Sequence, residues 1–152
     1  MHYVMQLASD PVAVLRQPYI PVAGAIGGTP PRSIFESVEE GDTNEQCAGA
    51  TDGSWECLLD AAGRIKTIFL HGENGCAFPY GLAYGMPQVE LVALLGVPTS
   101  SKPEQHVPLL GTYGASARWD NSDYCLHAEF GVDGGGLKLL TFMLPEYASK
   151  SA

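Results

Sequence analysis

Eighteen glycines and eleven prolines cut this 152-residue chain into short pieces, and that punctuation constrains the fold more than any other feature. Glycine supplies turn conformations that other residues resist, and proline removes a backbone donor, so neither long helices nor long strands can run through such a sequence. Short strands joined by turns are the expected solution, with few helices. Hydrophobic residues make up 45% and charged residues 16%, so a chain of this length can bury a core without disulfides.

Two helices are expected. In "GMPQVELVALLGVP", residues 85–98, Val89, Val92, Leu94 and Leu95 fall near helical spacing, Pro87 suits a first turn, and Gly96 with Pro98 supplies a stop. That reads as a helix of about three turns. Its one charge is Glu90, and it has no other acid, base, nucleophile or ligand, so it is expected to act as a brace. "SDPVAVLRQP" repeats the scheme in miniature, with Asp10 as cap, Pro11 in the first turn and Pro18 as terminator.

Strands follow each helix. Residues 53–71 read as a hairpin: a strand near Trp55–Leu59, a turn at Asp60–Gly63, and a β-branched and aromatic strand over Arg64–Leu70. "RSIFESVEE" before it is a candidate third strand. "ARWDNSDYCLHAEFGVDGGGLKLLTFML" gives strands near Arg118–Asp120, Tyr124–Phe130 and Leu137–Leu144. The expected fold class is α+β: two related helix-plus-antiparallel-β-meander units forming one body. The chain is expected to be a single domain over 1–152, with a tandem repeat of 1–71 and 85–144 joined by the 72–84 loop. Val89, Val92, Leu95, Ile65, Ile68, Leu126, Phe130, Leu139 and Phe142 are the expected core. Two long connections, His71–Gly85 and Thr99–Ser116, are candidate contact surface.

The formal net charge is −9, and eight acids with no Lys or Arg between Ser33 and Gly63 account for −8 of it. Direct nucleic-acid binding is disfavoured, because neutralising phosphates needs clustered cations. No run reaches the ~18 apolar residues of a membrane span, and the start lacks a leader pattern, so a cytoplasmic location and no membrane partner are expected. The wide, irregular spacing of Cys47, Cys57, Cys76 and Cys125 then favours reduced thiols.

Groups able to do chemistry are sparse. "GVDGGG" lies between strands and "GAIGG" has no following Lys-Ser/Thr, so neither has the context of a phosphate loop. Cys125 and His127 share a strand face and His71 and Cys76 share a loop, but no CxxC or HxxxH sets a metal site, and no cofactor is expected. Cys76 or Cys125 with a histidine is the best nucleophilic pair available. Acids and aromatics together fit an interface instead, with aromatic anchors inside a charged rim. Besides Tyr113 and Trp119, the candidate partner-binding residues are Glu36, Glu39, Glu40, Asp42, Glu45, Asp52, Trp55, Glu56, Tyr80 and Tyr84. A homodimer is a further partner to consider.

"RIKTIFLHGENGCAFPYGLAYGMPQVELVALLGVPTSS", followed by "RWDNSDYCLHAEF" and "LKLLTFML", resembles small bacterial immunity proteins of polymorphic or type VI secreted toxin systems. The likeness covers most of Arg64–Leu144. The stretch "GMPQVELVALLGVP" also resembles the helix of the BamE (SmpA/OmlA) fold, which precedes a meander; that likeness concerns fold. The resemblance implies a non-enzymatic cytoplasmic inhibitor that occludes the active site of a cognate toxin and carries no catalytic residues. An acidic surface suits the basic cleft of a nuclease acting in the cytoplasm. The alternatives are a small thiol-dependent enzyme using Cys76 or Cys125 with a histidine, and a BamE-like scaffold module.

Overall fold

Most of the strands read from the sequence join a single antiparallel sheet. The computed structural model describes residues 10–19, 26, 31–32 and 46–148. Helix α1 (Pro11–Val14) comes first, followed by β1 (Pro31–Arg32), β2 (Gln46–Ala50), β3 (Trp55–Leu59), β4 (Ile65–His71) and a 310 turn at Gly72–Asn74. Helix α2 (Gln88–Leu95) precedes β5 (Ser100–Lys102), β6 (Gln105–Val107), β7 (Gly111–Tyr113), β8 (Ser116–Asp120), β9 (Cys125–Phe130) and β10 (Leu137–Met143); a 310 turn at Pro145–Tyr147 follows. The main sheet has eight strands in the order β1-β2-β3-β4-β10-β9-β8-β5, and β6 with β7 forms a separate two-stranded ribbon. The order reads inward alike from both edges, an edge strand and then a three-stranded meander. The last strands of the two meanders, β4 and β10, pair at the centre.

Alternation along these strands sends one set of side chains to a common face. Trp55, Cys57 and Leu59 of β3, Ile68 and Leu70 of β4, Leu140 and Phe142 of β10, Leu126, Ala128 and Phe130 of β9, and Ala117 and Trp119 of β8 are all buried there. Both described helices, α1 and α2, lie on this side. The Asp10 carboxylate accepts from the Val12 amide at 2.9 Å, satisfying one orphan donor of α1. At the other end of the sheet, α2 ends at Gly96, φ +90°, whose carbonyl accepts from the Trp119 indole at 2.9 Å and ties the helix end to β8. Arg16 pairs with Glu146 through two contacts of 2.9 and 2.8 Å, joining the end of α1 to the last 310 turn.

Several expectations are corrected. Helix α2 has eight residues, about two turns rather than three, and Pro87 precedes it as N-cap. Its buried residue is Leu91, with Val92 and Leu95 half-buried, while Val89 is 74% exposed. Two residues turn a helix through about 200°, so the face centred on Leu91 sends Val89 to solvent. On β10 the register shifts between Leu137 and Leu139, which puts Leu140 and Phe142 on the core face and turns half-buried Leu139 to the other. The third strand beside β3 is Gln46–Ala50; of "RSIFESVEE", Arg32 belongs to β1 and Ser33–Glu40 lies outside the described residues. Thr99–Ser116 is no plain loop, because it contains β5, β6 and β7.

These positions predict different sensitivities. Leu91→Ala should lower unfolding free energy by about 2–5 kcal/mol, and Val89→Ala should change it by no more than about 0.5 kcal/mol. Urea denaturation of both variants checks this; equal losses would contradict the helix orientation.

Candidate functional site

The second face of the main sheet carries neither helix. Cross-strand partners define three rows on it. One runs Cys47, Leu58, Thr67, Met143, Cys125, Asp120; the next Gly49, Glu56, Phe69, Thr141, His127, Arg118, Ser100; the third His71, Leu139, Glu129, Ser116, Lys102. Leu58, Phe69, Leu139 and Met143 form an apolar centre, each only half-buried. No described helix packs on them, although Phe69 and its neighbours stand on the two most central strands.

Charged groups flank this centre on both sides. On the β3–β4 side, His71 sits between two carboxylates, Nε2 3.0 Å from Glu56 Oε1 and Nδ1 3.3 Å from Glu73 Oε1. On the β8–β9 side, Arg118 Nε donates to Asp120 at 2.6 Å, and this pairing holds the Asp120 carboxyl below the usual carboxylate range. Burial keeps the His127 imidazole below the ordinary histidine range against the pull of Glu129; Arg118 and Lys102 depress it further. The face therefore has an apolar strip spread over three adjacent strands, β3, β4 and β10, between polar margins, which is the layout of a protein-contact surface.

The residues named from sequence are not brought together here. Glu56 lies on the second face. Trp55, expected as an anchor, is fully buried on the core face, and its indole N–H has no hydrogen-bond partner among the described residues. A strand alternates, so neighbouring residues 55 and 56 cannot share a face. Asp52 is exposed in the β2–β3 turn, where its carboxylate accepts from the Ser54 amide at 2.9 Å. Tyr80 and Tyr84 belong to the loop after β4. The Tyr80 hydroxyl donates to Asp10 at 2.8 Å and its ring meets Phe142 edge-on, while the Tyr84 ring lies with Phe78 over Gly72, where no Cβ would fit. Both rings thus pack against the chain itself, with 40% and 58% of their surfaces still exposed. Of the other two aromatics, Trp119 is buried and Tyr113 is exposed on the β6–β7 ribbon.

Glu36, Glu39, Glu40, Asp42 and Glu45 lie outside the described residues.

The apolar centre was not among the sites expected from the sequence. The available signal was that β4 and β10, "IKTIFLH" and "LKLLTFM", carry large apolar residues on both faces, a pattern of strands covered on both sides.

The thiols point away from nucleophilic chemistry. All four cysteines are unpaired. Burial pushes Cys57 and Cys76 up to about 12 and Cys125 up to about 11, so their reactive thiolate forms are scarce at neutral pH. Among the described residues no group of three or more His, Cys, Asp or Glu is arranged to hold a metal, and no helix is long and apolar enough to cross a membrane. Comparison with protein-family models, curated proteins and solved structures returned no match.

Thiol labelling at pH 8 should report this burial. Half-buried Cys47 is expected to react with a disulfide reagent in the native protein, while Cys57, Cys76 and Cys125 react only after urea is added. Rapid native labelling of Cys76 would contradict the burial and favour a thiol enzyme.

Proposed function

We propose that this chain is an immunity protein, a cytoplasmic inhibitor that binds a cognate toxin and occludes its active site without catalysing a reaction. The observation that carries the reading is the half-buried apolar centre of the second face, Leu58, Phe69, Leu139 and Met143, on which no described helix packs. Apolar surface at the centre of a rigid sheet gains free energy by burial at roughly 25 cal/mol per Å², and a protein partner supplies the missing layer. The flanking carboxylates and the Arg118–Asp120 ion pair give such a contact its orientation.

Charge narrows the partner. Eight acids between Ser33 and Gly63 contribute −8 of the net charge of −9, so a partner with a basic cleft, such as a toxin that acts on nucleic acid, is attracted to the chain. The raised thiol pKa values argue against the rival reading of a cysteine enzyme.

Co-expression with the toxin of a toxin-bearing strain tests the proposal. The parent chain should protect cells and bind the toxin as a purified complex. Phe69→Lys with Leu139→Lys should weaken that complex by at least about tenfold, with the far-ultraviolet circular dichroism unchanged. Failure to protect against any toxin of the strain would overturn the reading, and undiminished binding by the double variant would remove the second face from it.

A further inference from the structure

The β6–β7 ribbon is an arm built onto the sheet. The β5–β8 pairing runs Ser100↔Arg118, Ser101↔Ala117, Lys102↔Ser116, and β6–β7 runs Gln105↔Tyr113, His106↔Thr112, Val107↔Gly111. Each pair of numbers has the same sum, so the two ladders are one hairpin with a short interruption, continued in register beyond the sheet. Six residues past Lys102 at about 3.3 Å each carry the tip roughly 20 Å outward. The base is held in place: the Gly134 amide donates to Glu104 at 3.3 Å, and Gly114 passes so close to the Phe130 carbonyl that a Cβ there would overlap it. His106 Nδ1 lies 2.9 Å from Thr112 Oγ1 across the ribbon and fastens its two strands.

The tip is where the arm departs from what folding alone requires. The Leu110 amide donates to the Val107 carbonyl at 3.0 Å, closing a four-residue turn with Pro108 at its second position and Leu109, φ +72°, at its third. This is the pattern of a type II turn, whose third position ordinarily holds glycine or asparagine because other side chains are strained there. Here it holds a leucine that is fully exposed (106%), beside Leu110 at 71%. Leu109 gains no packing that offsets its backbone strain, so folding alone does not account for an exposed leucine pair at this turn.

We propose that the arm inserts Pro108, Leu109 and Leu110 into an apolar cleft of a protein partner, with the leucines as anchors. The inference deepens the inhibitor reading and rests on it for the class of partner. A lipid surface fits less well: from Pro103 to Gly114 the arm carries Glu104 and no Lys or Arg, in a chain of net charge −9, and interfacial anchors on anionic membranes rely on such cations. A concave protein site fits a narrow ribbon with an apolar end and polar flanks.

The test uses the full chain in cells of a toxin-bearing strain, with p-benzoylphenylalanine placed at Leu109, at Leu110, or at exposed Gln17 as control. Irradiation should join positions 109 and 110, and not 17, to one other protein, identified by mass. Adducts of two copies of the chain, adducts only to lipid, flotation with phosphatidylglycerol vesicles, or no adduct would each overturn the proposal. Leu109→Gly should unfold in urea no earlier than the parent while binding the adducted protein at least about tenfold more weakly. An earlier transition would mean that Leu109 packs within the chain, and unchanged binding would mean that it is no anchor; either overturns the proposal. If the adducted protein proves harmless to cells, the arm stands and the toxin reading falls; protection without an adduct gives the reverse.

Discussion

The antiparallel ladder between β4 and β10 is the interaction on which the rest of the molecule depends. It pairs residues about seventy positions apart, Leu70 with Leu140 and Ile68 with Phe142, and so closes a long loop at an entropic cost that local contacts cannot offset. Those four side chains are completely buried, and their removal from water is what holds the two meanders together. The register is fixed by the same burial. A slip of one residue would carry Thr67 and Phe69 into the core and turn Ile68 and Leu70 outward.

The sheet so joined has unequal faces. The described helices lie on the side of Trp55, Phe142 and Trp119, and the side of Phe69, Leu139 and Met143 carries half-buried apolar groups between polar and charged ones. The edge opposite β1 extends into the β6–β7 arm.

Much of the fold was legible because the chain obeys local rules. Trp55–Leu59 and Cys125–Phe130 are β-rich runs bounded by turn residues, and Asp10 before Pro11 is a readable cap. What escaped was set by tertiary geometry. The short apolar runs of α2 do not reveal which side meets the sheet until its first residue is known, so Val89 was placed inside and Leu91 overlooked. The irregularity at Leu137–Leu139 shifts the alternation of β10 without a sequence mark. The arm was hidden in what looked like a loop, since its strands are three residues each and its turn breaks the residue preference that would announce it. For the contact surface, only Glu56 among the described candidates lies on the face that the fold leaves open.

The central claim is that one cooperative body, held by β4 against β10, presents an arm that adds nothing to that body's stability. Native-state amide hydrogen exchange followed against low urea tests it most directly. Amides of Ile68, Leu70, Leu140 and Phe142 should exchange only through global unfolding and share one free energy and one urea dependence, while those of His106 and Thr112 exchange on the order of a hundredfold faster or more, with little urea dependence. If β4 and β10 amides fell into separate classes, or if the arm were protected as strongly as they are, the account would be contradicted.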